Sequence, residues 1–352
     1  MKKIIPFFII VVGCMTVIFF LFVLTERKEA AVQNGFYRTF FKNGVQKMDT
    51  YNMGYAGFGL AGIDDQTIYL SHINGLDLLM MVDRSLQDTS LYQLYLDTLS
   101  TYISAGLNVK PPYFYLVDGY SPFIIGGRLE YLSVNFNVKE DPLYFLNAIP
   151  LSNSSYIAVH YDQKLGQTVL SKISNKNEIH TDHQLITKQL DGMFCTDGML
   201  EEDEQTSTIV YAYFHRNEYV VMDTSLNLRY RGTTIDTVSH AQLKLNYIDG
   251  VPKLASPPKS INKQICASDG YLFVRSGLWA DNEDRQVFKR NTVLDVYDLK
   301  KGKYKGSFYL PRLKKQEADT FKVFKDTLVA LYGQYLVTYR LNLYNDVTVT
   351  SI

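Results

Sequence analysis

Charge of one sign, cysteine and tryptophan are all scarce in this chain, and each shortage closes off a class of protein. The 36 basic residues are met by 36 acidic ones, at a pI near 7.0. With no net field to gather polyanions, nucleic acid gains nothing from long-range attraction and is not expected as a partner. Three cysteines, Cys14, Cys195 and Cys266, are too few for a disulfide framework, so the fold must be held by its core. The single tryptophan, Trp279, is followed by Ala280, which leaves no Trp-Asp dipeptide of the kind that marks one large class of repeat proteins. No phosphate-binding glycine loop ends in Lys-Ser or Lys-Thr, and neither His-Glu-x-x-His nor Gly-x-Ser-x-Gly occurs. P-loop nucleotide, zincin and serine-hydrolase chemistry therefore lack their signatures, and no cofactor is implied. Past Leu24 there is no sustained helical period either; residues 88–102 come nearest, and their apolar positions suit an outer strand equally well.

What the chain has in quantity is aromatic residues, 27 Tyr and 20 Phe, a composition suited to half-buried pleated surfaces. Three β-rich apolar runs end alike, in an Asp and a polar turn. These are Leu79-Met80-Met81-Val82-Asp83-Arg84-Ser85-Leu86, Tyr219-Val220-Val221-Met222-Asp223-Thr224-Ser225-Leu226 and Val293-Leu294-Asp295-Val296-Tyr297-Asp298-Leu299-Lys300. Asp83 and Asp223 stand 140 residues apart, three steps of about 47, which is the length of a four-stranded blade. The expected fold is therefore all-β: a β-propeller of six four-stranded blades over residues 36–352. Asn74-Gly75 and Asp269-Gly270 read as hairpin turns. The longer interval from Asp223 to Asp298 holds a polar loop at 249–260 and a charged insertion at 279–290. Residues 36–41 and 347–352 are expected to complete the last blade, since a ring joined by both chain ends has no open edge.

Ahead of the propeller, Lys2 and Lys3 precede an uncharged run from Ile4 to Leu24, 21 residues long. About 20 apolar residues cross a bilayer core, so residues 1–25 are expected to form a single-pass signal anchor and 26–35 a short stalk. The flanking lysines place a short stub in the cytoplasm and the bulk of the chain outside. A cleaved signal fits less well, because Lys28 or Glu29 falls at the third position before any cut after Ala30 or Ala31. Val11-Val12-Gly13-Cys14 loosely matches a lipobox, which keeps a lipoprotein anchored at Cys14 as the alternative.

Candidate sites are few. The insertion gathers Trp279, Arg285, Phe288 and Arg290, residue types enriched at interface hot spots; a solvated loop is the plainer reading. The stretch 111–122 is rich in Tyr, which is expected to pack within a blade. Cys195 and Cys266 each precede an Asp-Gly step and form a candidate disulfide, the alternative being two buried thiols. His180-Thr181-Asp182-His183 reads as a solvated turn rather than a metal site, and Glu201-Glu202-Asp203-Glu204 as an exposed, self-repelling loop. Asp64, Asp118, Asp197 and Asp269 would have to converge for an axial cation; turn formation explains each more simply.

The turns Asp64-Asp65 and Asp269-Gly270, each followed by a short strand, and the strand-ending Asp83, Asp223 and Asp298 resemble the six-bladed TolB-like β-propeller proteins, exported and found in the bacterial cell envelope. The resemblance spans residues 36–352 and implies a periplasmic or otherwise extracytoplasmic location and a non-catalytic binding or assembly role. The expected partners are the membrane, through the N-terminal helix, and an envelope protein or glycan. Some six-bladed propellers are calcium-assisted hydrolases or quinone-linked dehydrogenases with an axial site, which is the alternative.

Overall fold

The computed structural model describes residues 12–21, 33–96, 105–138, 143–174, 178–343 and 347–348. Six sheets, each built on three or four antiparallel, sequence-adjacent strands, follow one another, and the first of these strands in every sheet lines a common axial cavity. The first four blades begin with Phe58–Ile63, Gly106–Lys110, Asn147–Ser152 and Gly198–Asp203, and the fifth and sixth with Asn262–Ser268 and Thr320–Phe324. Blade count and fold class thus match the expectation from repeat spacing.

The echoing Asp turns share one structure in two of the three cases. Asp83 accepts the backbone N–H groups of Ser85, Gln87 and Asp88, and Asp223 those of Ser225 and Asn227, each at 2.6–3.0 Å. Leu86 and Leu226 then take left-handed φ values of 56° and 67° and are buried. The carboxylate satisfies the turn's donors so that a leucine can be pressed under the blade edge. At Asp298 the turn closes one residue later, the Gly302 amide donating to the Asp298 carbonyl, and Gly302, at φ 63°, supplies the left-handed position.

Hydrophobic clusters sit between blades rather than inside them. One joins blades 1 and 2 through Leu79, Phe114 and Leu116, another blades 3 and 4 through Ile157, Leu170 and Ile209, another blades 5 and 6 through Phe273, Leu294 and Phe321. Tyrosine suits these layers because its ring fills them while its hydroxyl reaches a loop. Buried Tyr211 donates to the Thr196 carbonyl at 2.6 Å, and Tyr332 and Tyr339 share a hydrogen bond of 2.8 Å.

Closure differs from expectation in its strand. Val45–Asn52 is the outermost strand of blade 6, paired antiparallel to Tyr335–Leu341 with Val45 opposite Leu341 and Tyr51 opposite Leu336. Phe40–Phe41 instead extends blade 5, parallel to Lys303–Pro311, and takes Val347–Thr348 on its other side. Residues 349–352 lie outside the described residues. The closing strand carries no apolar pattern, being mostly polar and exposed, as an outer edge can be; the break between it and Phe41 is Asn43, at φ 56°, followed by Gly44.

The expected loop at 249–260 begins as a hairpin, Leu245–Ile248 with Val251–Leu254, turning on Asp249 and Gly250, both at positive φ. Of the run 4–24, residues 12–21 are described and are helical; the remainder, like residues 22–32, lies outside the described residues. No helix among the described residues is long and apolar enough to cross a membrane.

Candidate functional site

The insertion after Tyr271–Ser276 is a clasp for the segment that leads into the propeller. Arg285–Arg290 forms a short helix whose N-cap Asp284 accepts from Gln286 and Val287, and whose last turn carries Lys289 and Arg290. The Arg285 guanidinium lies 4.9 Å from the Trp279 ring, and Phe288 meets the same ring edge-on. Three of the four hot-spot candidates therefore pack on one another, while Arg290 is exposed. The loop backbone and side chains grip residues 34–38. Asp281 accepts from the Asn34 and Gly35 amides at 2.7 and 3.0 Å, the Trp279 carbonyl accepts from Asn34, and Asn282 exchanges two hydrogen bonds with the Arg38 backbone. Below them Arg38, wholly buried, forms a two-point pair with Asp295 at 2.7 and 3.0 Å and a third contact with Glu283.

A second feature lies on the axis. The acidic run is not a loop: Glu201, Glu202 and Asp203 belong to the first strand of blade 4 and Glu204 to the turn after it. Asp203 is buried, accepting from the Gly270 amide at 2.7 Å and from Thr206. Glu201, Glu202 and Glu204 line an axial cavity of about 190 Å³ together with Lys110 and Lys322. Lys110 crosses from blade 2 to bond Glu202 and the Pro150 carbonyl, the latter at 2.8 Å, with Glu204 3.6 Å away. Burial raises the Glu201 and Glu202 carboxyls against the pull of Lys322 and Lys110, while Glu201 raises the Lys322 ammonium against burial. Lys110, bonded to Glu202, and Lys322, which lines the same cavity, thus supply positive charge beside these carboxylates.

These shifts carry a pH signature. Because burial raises the Glu202 carboxyl, its ionisation opposes folding, and stability is gained as pH falls through its folded pKa toward the ordinary carboxylate value. Lys110→Met removes the charge that offsets this, at a cost of about 2 kcal/mol for a pair that is only partly shielded. Thermal melts should show the variant's deficit largest near neutral pH and reduced at about pH 5. An equal deficit at both pH values would contradict the pairing.

The third feature is a seam. Neighbouring inner strands pack directly around the ring except between blades 2 and 3, where Gly106–Lys110 and Asn147–Ser152 part. A cleft of about 730 Å³ opens there, and Asn108, Asn147 and Ala148 line both it and the axial cavity. Since adjacent strands alternate in direction, the loops from second to third strand and from one blade to the next share a face. The cleft's rim and the clasp are built from such loops and lie on that face.

Other candidates resolve simply. Asp64 accepts from Gln66, Thr67 and Tyr69, and Asp118 from Tyr120 and Ser121; neither these nor Asp197 and Asp269 line the axial cavity. The pairing of Cys195 with Cys266 is not formed: both are buried free thiols, Cys195 donating to the Asp191 carbonyl and Cys266 facing blade 6 at Val323. Burial pushes the Cys266 thiol up to about 12. His180 lies on an outer strand and, like His183, is exposed; among the described residues no three His, Cys, Asp or Glu side chains converge to hold a metal. Gly57-Phe58-Gly59-Leu60-Ala61-Gly62 spells Gly-x-Gly-x-x-Gly, but it runs into an inner strand with no helix after it. Gly62 is needed for packing: a Cβ there would meet the Val109 carbonyl at 2.3 Å.

No family model and no curated protein matches the chain. Among solved structures, it is similar to a member of the DUF4221 family from Bacteroides vulgatus, at 12% identity and a TM-score of 0.54, covering 86% of this chain and 99% of that one. It is also similar to a Bacteroides fragilis protein inferred to be exported, at 11% identity and a TM-score of 0.50, covering 88% and 94%. At these identities the likeness is one of fold.

Proposed function

We propose that this chain is an exported propeller, tethered to the cytoplasmic membrane by its N-terminal apolar segment, that binds a ligand rather than transforming one. The observation that carries the reading is the seam between blades 2 and 3: an open, preformed cleft on an otherwise closed ring, while the axial carboxylates are matched by lysines. Rigid scaffolds that present loops around such an opening are suited to recognition. The likeness to a protein inferred to be exported, the TolB-like resemblance and the 21-residue apolar run support the location. The clasp adds a mechanical consequence. Residues 34–38, the end of the tether, are fixed to the cleft's own face, so the tether holds the propeller rather than trailing from it.

Protease added to intact spheroplasts tests the location. Digestion in the stalk should release a resistant propeller from the membrane. Full protection, with cleavage only after lysis, would contradict export.

A further inference from the structure

We infer that the seam between blades 2 and 3 is a binding site for a short, uncharged glycan. This deepens the binding role above and rests on it, but not on the location of the protein. The rim of the cleft carries Tyr120, Tyr144 and Tyr161, with fractional exposures of 75%, 67% and 38%. Its inner wall carries the amides of Asn108 and Asn147, and Gln163 stands beside Tyr161. Among the described residues, none that lines the cleft is charged. A phosphate, a carboxylate or an amine would therefore leave water without a countercharge, which costs more than the cleft's few polar groups return. Neutral hydroxyl groups meet no such penalty, and amides both donate to and accept from them.

The tyrosines are displayed on a fixed backbone. Asp118, almost wholly buried, accepts from the Tyr120 and Ser121 amides at 2.8 and 3.1 Å and sets the turn that carries Tyr120. Gly119 lets this turn press against the next blade, because a Cβ there would meet the Phe145 carbonyl at 2.0 Å. Phe145 is anchored in the core between blades 2 and 3, and the Leu146 amide donates to Val159 at 2.7 Å. Tyr144 and Tyr120 are thus held by the same contact, on either side of it. Large aromatic side chains that project from so constrained a backbone expose flat faces at low ordering cost. The negative face of an aromatic ring attracts the polarised C–H groups of a pyranose, and the amides below are placed for its hydroxyls. A cleft of about 730 Å³ falls within the range of small-molecule sites, roughly 300–1,000 Å³. An uncharged peptide segment is the competing occupant: Asn147–Ser152 is an edge strand paired only to Ser155–Asp162, so a peptide would have to add along it, and the test below includes one as a comparator.

The test is titration calorimetry on the full-length chain in a sugar-free zwitterionic detergent. The probes are a panel of neutral α- and β-linked tetrasaccharides, N-acetylated ones included, with a uronic-acid tetrasaccharide and an uncharged peptide as comparators. At least one neutral tetrasaccharide should bind saturably, with Kd below about 1 mM. Tyr120→Ala and Tyr144→Ala should each weaken it at least tenfold with unchanged melting temperature, since both side chains are exposed, whereas Tyr120→Phe and Tyr144→Phe should retain most of the affinity. No saturable binding by any neutral member, binding indifferent to the alanine variants, or preference for the uronate or the peptide would each overturn the inference and leave the export test untouched.

Discussion

Replacing Arg38 with Met is expected to lower the free energy of unfolding by about 3–5 kcal/mol, the cost of leaving a buried charge without its partner. Arg38 is wholly buried, and its guanidinium makes three contacts with two carboxylates that come from different parts of blade 5. Without it Asp295 and Glu283 face each other in a space with no other cation among the described contacts. Ser307 and Tyr304 cluster on the Asp295 side, at 2.5 Å from one another, and Tyr309 donates to Glu283, but none of these neutralises a charge. Denaturant melts would measure the loss. Arg38→Met combined with Asp295→Asn and Glu283→Gln should recover most of it, because neutral isosteres keep the hydrogen bonds and remove the repulsion. A single variant within about 1 kcal/mol of the parent would mean that the pair contributes little, as exposed pairs do.

Truncation should give a larger effect with a sharp boundary. A chain beginning at Gln33 keeps the clasp contacts and the closing strand, and its propeller should melt as the parent's does. A chain that lacks residues up to Lys47 loses Phe36, Phe40 and Phe41, all buried, together with Arg38 and the first three residues of Val45–Asn52. Three buried phenylalanines alone contribute on the order of 6 kcal/mol, and a domain's whole margin is about 5–15 kcal/mol. The ring cannot lose this locally, because each blade is packed against both neighbours. The edge of Tyr335–Leu341 would also be left bare, a template for aggregation. Soluble, cooperatively folded protein is therefore not expected from the shorter chain, and a normal melt from it would refute closure by this segment.

The fold was legible because its signals are local. Asp83 and Asp223 announce themselves by position at the end of apolar runs, and the physical reason, a carboxylate satisfying turn amides over a buried leucine, acts within five residues. Ring closure was half legible: the chain ends do meet the last blades, but the strand that seals blade 6 is polar, so hydrophobic pattern pointed to its neighbour Phe40–Phe41 instead. The candidate site was harder to see. The acidic run looked solvated because its compensating lysines, Lys110 and Lys322, lie in other blades, and only the ring brings them to the axis. One signal was available: Lys322 interrupts the apolar strand Thr320–Phe324, an unusual place for a charge unless something meets it. Trp279, Arg285 and Phe288 pack on one another beside the loop that grips residues 34–38, and no partner surface follows from that packing. Of the cleft's tyrosines, Tyr120 lies in the stretch noted for its Tyr content but projects outward, unlike Tyr113 and Tyr115, because it sits on a turn rather than a strand.

Hydrogen exchange on the full-length chain tests most directly whether the segment 45–52 is an integral part of the ring. Those amides of 45–52 that bond to Tyr335–Leu341 should be protected as strongly as those of Thr327–Tyr332 and Tyr335–Leu341, and should open with them in one global step. Exchange of 45–52 within seconds, while the other two strands stay protected, would show an unattached tail and contradict the account.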